Sequence, residues 1–211
     1  FTLVPQDPYC LESGVSIHNF HNDTKTSDCI IYAYFDVTYH SNYDGGPVDV
    51  PQGSIGYDTK WTTKGSIFSR SGYTLTSWNT QPNGSGTKYS LDTVQDPITK
   101  NLDLYAQWTP NKYKVNIYYY YKYQNNTWKH FETKNETKIY GEKFTPYYTN
   151  TPDGYYKGET YNYWDGSTFL GSGKVGINSF TVDRDINVDV FYYPNTYTVT
   201  YDANGGTGAP P

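Results

Sequence analysis

Few side chains in this chain of 211 residues have the types and the spacing that catalysis or metal binding needs. Of the four histidines (His18, His21, His40 and His130), only His18 and His21 lie close together. Three residues apart on a helix, they could share a metal ion, but their surroundings predict a loop in a β-rich stretch. GSGKVG at 171–176 predicts a hairpin rather than a phosphate-binding loop, because no helix follows it. The sequence predicts no catalytic residue, no metal site, no cofactor and no enzymatic activity.

Two of the five tryptophans have surroundings that suit ligand binding. Trp128 and Trp164 lie in the polar segments NNTWKH and NYWDGS, which predict turns. An exposed indole beside Asp165 could stack on a sugar ring while the carboxylate accepts hydrogen bonds from the sugar hydroxyls. The alternative is that both indoles pack within hairpins. We therefore take Trp128, Trp164 and Asp165 as candidate glycan contacts.

The cysteines and the glycosylation motifs suit a secreted protein. Cys10 and Cys29 predict one disulfide, which would contribute about 3 kcal/mol by restricting the unfolded chain; two buried thiols are the alternative. Asn-x-Ser/Thr triplets make glycosylation feasible if the source cell has the machinery. These triplets begin at Asn22, Asn83, Asn125 and Asn135.

Composition excludes two classes of partner. The net charge is −5 and no basic stripe is present, so we expect no nucleic-acid partner. No apolar run reaches the length of a membrane span.

Apolar residues make up 36% of the chain, below the usual ~45–50%. The aromatic content of 19%, mostly tyrosine, must supply the missing buried area.

The elements that would carry these residues are predicted to be strands. Alternating patterns rich in Val, Ile, Thr and Tyr occur at 112–120, 179–193 and 196–203. Asn-Gly, Asp-Gly and Gly-Gly pairs punctuate the sequence between such patterns. No segment of ten or more residues has a helical apolar period. The sequence predicts an all-β fold with very little helix.

One junction recurs along the chain and predicts a tandem array of small modules. Residues 102–117 and 188–200 each form a strand pattern, a break containing Pro-Asn and a second strand pattern. Residues 31–39 repeat the junction without Pro-Asn. The predicted organisation has four parts: the tail of a preceding module with the cysteine loop (1–35), a module at 36–110, a divergent module at 111–194, and the opening strand of a further repeat (195–211). Because the chain opens mid-pattern at Phe1, we expect a processed chain or a piece of a longer protein.

Several short motifs resemble the Listeria–Bacteroides repeat, also known from the B-repeat of internalins. They are GYT at 72–74, WNT at 78–80, GSGT at 84–87, LYAQW at 104–108 and YTVTYDANGG at 197–206. The resemblance covers about 36–108 and 197–211, with the closing strand of 1–35. It implies β-grasp-like modules in tandem on surface proteins, acting as spacers and weak adhesion modules without catalytic residues.

The resemblance also bears on the tryptophans and on the divergent module. Trp78 occupies the central position of the family pattern and Trp108 the closing one, so both are expected in the core, while Trp61 has no assignment. The module at 111–194 lacks the Trp-Asn-Thr element. Its segments GEKFTPYY and GYYKGETYNYWDG are similar to the mucin-binding-protein repeat.

The expected function is that of a non-enzymatic, extracellular protein of the cell surface, with a structural or adhesive role. Residues 197–208 of one chain, through Tyr197, Val199 and Tyr201, could complete the first module of the next and build a head-to-tail filament. The alternative is that both ends are boundaries within a longer array. A glycan-binding adhesin is the other function considered. The expected partners are neighbouring copies or adjacent repeats, and host or cell-surface glycans.

Overall fold

The computed structural model describes residues 2–5, 31–202, 204 and 206. Strands make up 53% of it, which confirms the all-β prediction. The helical content of the described residues is one three-residue 3-10 turn at Gln124–Asn126. No helix in this part of the chain has the length and the apolar character needed to cross a bilayer. Two compact units are present, unit 1 (residues 1–110) and unit 2 (residues 111–211).

Unit 1 is a mixed sheet whose first long strand runs parallel to its last. Its strands are β1 (Thr2–Pro5), β2 (Ile31–His40), β3 (Val50–Gly56), β4 (Trp61–Thr62), β5 (Tyr73–Asn79), β6 (Lys88–Tyr89), β7 (Val94–Gln95) and β8 (Leu102–Pro110). The sheet order is β1-β2-β8-β5-β6, with β3 also paired to β2. Strands β2 and β8 are parallel, and the remaining pairs are antiparallel. The short strands β4 and β7 form a separate ribbon.

Alternation along β2 and β8 builds the core of unit 1. Val37 and Tyr39 on β2 and Leu104 and Ala106 on β8 are fully buried, as expected when every second side chain faces inward. Trp78 on β5 is fully buried among them. Two further tryptophans belong to this core. Trp61 is buried, and Trp108 is partly buried against the same cluster.

Unit 2 repeats this topology. Its strands are β9 (Lys112–Lys122), β10 (Trp128–Ile139), β11 (Lys143–Phe144), β12 (Tyr155–Asp165), β13 (Thr168–Lys174), β14 (Phe180–Thr181) and β15 (Ile186–Pro194). The order β10-β9-β15-β12-β13 corresponds to β3-β2-β8-β5-β6, and β9 runs parallel to β15 as β2 does to β8. The ribbon β11-β14 corresponds to β4-β7. Both units thus share one strand order within an all-β fold.

The core of unit 2 is rich in tyrosine. Val115, Ile117 and Tyr119 on β9 are fully buried, as are Val188, Val190 and Tyr192 on β15. Phe144 and Phe180 of the ribbon pack against this face. Tyrosine therefore provides much of the buried area of a chain with little aliphatic residue content, as the composition predicts.

The three predicted junctions differ in structure. Strands β8 and β9 are separated by Asn111, as expected. The break expected within residues 31–39 is absent, because Ile31–His40 forms one strand that pairs with β1, β3 and β8. After β15 ends at Pro194, residues 195–202 belong to no strand. The repeated pattern thus marks strand-forming sequence, while the neighbouring strands decide whether a break or a new strand follows.

Candidate functional site

The side of the unit 2 sheet opposite the core carries a surface rich in aromatic residues. Along β9 and β15 every second residue is buried in the core, so the residues that alternate with these face the opposite side of the sheet. On β9 these include Tyr118, Tyr120 and Lys122, and on β15 they include Phe191 and Tyr193. We call this side the outer face of unit 2. Edge strand β10 and strand β12 extend it on both sides.

Five rings form a continuous cluster at one end of the outer face. This aromatic cluster consists of Tyr120, Trp128, Tyr156, Phe191 and Tyr193. The Trp128 ring lies 4.7 Å from Phe191 and 5.5 Å from Tyr193, centroid to centroid. Tyr120 stacks on Phe191 at 6.1 Å, and Tyr156 stacks on Tyr193 at 5.8 Å. Trp128 is 42% exposed and Tyr156 is 52% exposed, so ring surface remains open to solvent.

The backbone beneath the cluster is shaped to hold it. Gly158 of β12 is buried, and a Cβ atom there would lie 2.6 Å from both the Tyr193 ring and the Phe191 carbonyl oxygen. Only glycine leaves room for this close approach of ring and backbone. The Tyr193 ring is therefore seated against the sheet rather than free on the surface.

One cation lies within the aromatic cluster. The Lys122 Nζ atom is 6.0 Å from the centroid of Trp128 and 6.0 Å from that of Tyr193. At this distance an ammonium group is attracted by the negative face of each ring. The cluster thus combines ring faces with a positive charge.

A second, smaller aromatic pair lies towards the other end of the outer face. The ring centroids of Trp164 and Phe169 are 5.0 Å apart. The indole nitrogen of Trp164 donates a hydrogen bond to Asp189 Oδ2 at 2.7 Å. Burial raises the pKa of the Asp189 carboxyl, and the indole hydrogen bond opposes this by lowering it. The Asn116 side-chain amide donates a hydrogen bond to Asn187 Oδ1 at 3.0 Å. Asp189 and these two amides form a polar group beside the rings of Trp164 and Phe169.

The structure separates the three residues that the sequence groups as glycan contacts. Trp128 and Trp164 both lie on the outer face, but in strands β10 and β12 rather than in the expected turns. The register of the sheet places them roughly 20 Å apart along the strand direction. Asp165 forms an ion pair with Arg184 at 3.1 Å, and the acidic partner of Trp164 is Asp189 instead.

The candidate glycosylation sites within the described chain are all exposed. Asn83 lies in the loop after β5, where its Oδ1 accepts hydrogen bonds from the Ser85 amide at 3.1 Å and from Ser85 Oγ at 2.7 Å. Asn125 lies in the 3-10 turn with a φ of 62°. Asn135 is on β10, at the edge of the outer face. Asn22, Cys10, Cys29 and the histidines His18 and His21 lie outside the described residues.

The proposed donor residues Tyr197, Val199 and Tyr201 are exposed. Their exposed fractions are 75%, 71% and 67%, and they belong to no strand. Their alternating pattern would place all three on one side of an extended chain. The segment therefore has the pattern of a strand without the pairing of one.

The corresponding face of unit 1 has a different chemistry. His40 Nδ1 lies 2.9 Å from Asp49 and His40 Nε2 lies 2.9 Å from Asp103. The imidazole stacks on Tyr105 with its centroid at 4.5 Å. This face presents an imidazole held by two neighbouring carboxylates instead of a set of contacting rings. The aromatic cluster is thus a feature of unit 2 and not of the shared topology.

Most of the aromatic cluster was missed by sequence reasoning. The sequence places Tyr120, Phe191 and Tyr193 in predicted strands and Tyr156 in the segment similar to the mucin-binding-protein repeat, and it assigns none of them to a site. The available signal was alternation: in the YYYYKY run at 118–123, successive tyrosines of a strand must point to opposite sides. One set enters the core and the other set covers the outer face.

Comparisons with known proteins find similarities for part of the chain. Residues 35–107 match the family model of the Listeria-Bacteroides repeat domain, a family typical of surface proteins. A protein of Evansella cellulosilytica named "Putative membrane protein" is 30% identical over 103 residues, which are 46% of this chain and 16% of that protein. A second, named "Putative Gly-rich membrane protein", from the same organism, is 29% identical over 97 residues, or 43% of this chain and 11% of that protein. The chain thus spans only a small part of either relative. Within unit 1, residues 35–107 are thus similar to the Listeria-Bacteroides repeat domain.

Proposed function

We propose that this chain is part of a non-enzymatic, extracellular adhesin of the cell surface, in which unit 1 is a spacer repeat and unit 2 binds glycans. The observation that carries the proposal is the aromatic cluster, whose five rings contact one another on the outer face of a sheet. The family of unit 1 supports the surface location, since such repeats are typical of surface proteins. Neighbouring repeats would set the distance of unit 2 from the cell.

The aromatic cluster has the physical character of a sugar platform. A sugar ring has one face of C–H groups, which carry partial positive charge and pack on the negative face of an aromatic ring. The exposed fractions of Trp128 and Tyr156 leave such ring faces accessible. Tyr120 and Tyr193 add phenol groups that donate and accept hydrogen bonds at the edge of the platform.

The platform is also held in place before any ligand arrives. Its residues lie on strands, and Trp128 is fixed by contacts with both Phe191 and Tyr193. A rigid site loses little conformational entropy on binding, so a modest number of contacts yields measurable affinity. This preorganisation favours binding by ring stacking over an unspecific hydrophobic contact.

Replacing the central indole tests the proposal. We expect Trp128→Ala to weaken binding of a glycan selected on a glycan array by about 30-fold, because truncating a tryptophan anchor costs about 2 kcal/mol. Calorimetric titration of the purified chain with that glycan measures the loss. Tyr57→Ala is the matched control, since Tyr57 is an exposed ring of unit 1 at 59% exposure. A chain that retains no glycan, or equal losses in the two variants, would refute the proposal.

Head-to-tail assembly is a second candidate function, favoured by the exposed, unpaired pattern of Tyr197, Val199 and Tyr201. Such a segment can add to the edge of another sheet through backbone hydrogen bonds. We expect the mass measured by light scattering to rise above 24.2 kDa with concentration. Val199→Pro removes a backbone donor and should abolish the increase, whereas Thr198→Ala should retain it. A constant mass of a single chain at all concentrations would exclude this assembly.

A further inference from the structure

We infer that unit 2 binds acidic sugars and that Lys122 receives the sugar carboxylate. The inference rests on the proposed glycan-binding function and names the class of glycan. It starts from the position of one ammonium group inside the aromatic cluster, between the rings of Trp128 and Tyr193. A sugar stacked on either ring would place its substituents next to this charge.

Lys122 has no acidic partner within the described residues, unlike Lys138 and Arg184 of the same unit. Lys138 pairs with Glu136 at 3.1 Å and with Glu142 at 3.1 Å, and Arg184 pairs with Asp165 and Asp183. No carboxylate of the described chain lies within 4.0 Å of Lys122. Its charge is therefore available to a bound anion.

The charges around the aromatic cluster also favour an anion. The acidic side chain on the same face of β15 is Asp189, four residues from Tyr193 and thus roughly 13 Å along the strand. Asp189 is also engaged by the Trp164 indole. In a chain of net charge −5, a local cation of this kind marks a selective position rather than a generally basic surface.

The contacts that an acidic sugar would make with Trp128 and Lys122 follow from charge and geometry. The sugar ring would pack on Trp128, and its carboxylate would accept a charge-assisted hydrogen bond from the Lys122 ammonium. The neighbouring rings exclude part of the water around Lys122, which strengthens its attraction to an anion. Two kinds of sugar carry the required carboxylate: uronic acids within polysaccharides, and sialic acids at the ends of host glycans.

Matched pairs of sugars separate the role of the carboxylate from that of the ring. The full chain is titrated by calorimetry with hexagalacturonate and its methyl ester, and with 3′-sialyllactose and lactose. We expect the acidic member of at least one pair to bind about tenfold tighter than its neutral counterpart. The pair that shows this preference tells whether the bound sugar is a uronic acid or a sialic acid. Lys122→Gln should remove this preference, so that the acidic and the neutral member of the pair bind equally. Lys114→Gln should retain it, because Lys114 lies on the same face of β9 but eight residues away.

The outcomes separate the inference from the proposed function. If a neutral sugar binds as tightly as its acidic counterpart and Lys122→Gln has no effect, the inference is wrong and glycan binding stands. The same holds if the glycan array returns only neutral glycans whose binding depends on Trp128. If neither the array nor the four sugars give binding, both the inference and the proposed function are wrong. Loss of the preference in Lys122→Gln but not in Lys114→Gln establishes the inference.

Discussion

Trp78→Ala is expected to destabilise unit 1 by about 3–5 kcal/mol, the range for truncating a fully buried large aromatic side chain. Trp78 is 0% exposed. Its ring meets Tyr39 at 4.6 Å and Phe68 at 5.9 Å in edge-to-face contacts. Its indole nitrogen donates a hydrogen bond to the Lys64 carbonyl oxygen at 2.7 Å, so the substitution also leaves a polar group of the loop after β4 without this donor.

Denaturation by urea, with amide exchange read in the strands of unit 1, measures this loss. Trp78→Phe separates the two contributions, because it retains ring packing and removes the hydrogen bond; about 1–2 kcal/mol of the loss should remain. Trp128→Ala is the control for removing an indole, and its effect on stability should be below about 1 kcal/mol because Trp128 is partly exposed. If Trp78→Ala stays within 1 kcal/mol of the parent chain, the buried indole does not organise this core.

The Trp-Asn-Thr segment shows how a local motif can be read from sequence. Asn79 follows Trp78 and is 3% exposed. Its side-chain amide donates to the carbonyl oxygens of Gly84 and Gly86, and its Oδ1 accepts from the amides of Gln81 and Gly86. These hydrogen bonds join residues at most seven positions apart, so they depend on the local sequence of the motif alone. Strand identity was likewise predictable, because period-2 alternation is a local property.

The candidate site was less predictable because its contacts are non-local. The sequence groups Trp164 with its neighbour Asp165 as joint glycan contacts, yet the carboxylate that Trp164 binds is that of Asp189, 25 residues away on β15. Trp128 meets Phe191 only because β9 lies between β10 and β15. These contacts depend on sheet order and register, which a single sequence does not specify.

The two units show that topology and outer surface can vary separately. In both, the first long strand runs parallel to the last strand, and both of these strands carry fully buried alternating residues. Burial constrains those inward positions, whereas the outward positions face solvent and need only remain compatible with a strand. Unit 1 places His40 and Tyr105 at these outward positions, and unit 2 places Tyr120 and Phe191 there. A new binding surface can thus arise on the same module without altering its core.

The tyrosine-rich core of unit 2 should make it sensitive to alkaline pH. Burial is the main cause that raises the pKa of Tyr119, Tyr161 and Tyr192 above 10. Burial, together with a hydrogen bond to Glu136, raises the pKa of Tyr147 to about 12. Each buried phenol resists ionisation because its charged form would lose contact with water.

The direction of the effect follows from proton binding. Between about pH 10 and pH 12 the tyrosines of the unfolded chain lose their protons, while Tyr147 in the folded chain keeps its proton. The native state then binds more protons than the unfolded state, so stability decreases as pH rises. The contribution is fully present below about pH 10 and is lost as pH passes through the pKa of the folded chain. We therefore expect unit 2 to unfold cooperatively in this interval, with buried tyrosines ionising in the same step.

Tyrosinate absorbance and circular dichroism, followed together during an alkaline titration, test this expectation. Tyr147→Phe removes one group whose ionisation drives unfolding, which raises the pH midpoint of unfolding. It also removes the hydrogen bond to Glu136, which lowers that midpoint. Comparing the slope of stability against pH resolves the two effects, because only the ionising group changes the slope. Phe144→Leu is the control, because it alters the packing beside Tyr147 without removing an ionisable group and should leave the slope unchanged. Titration of all tyrosines near pH 10 in a folded chain would show that burial does not hold these phenols neutral. Coincident ionisation and unfolding, with a shallower slope in Tyr147→Phe alone, would show that the aromatic core making unit 2 compact also sets its upper pH limit.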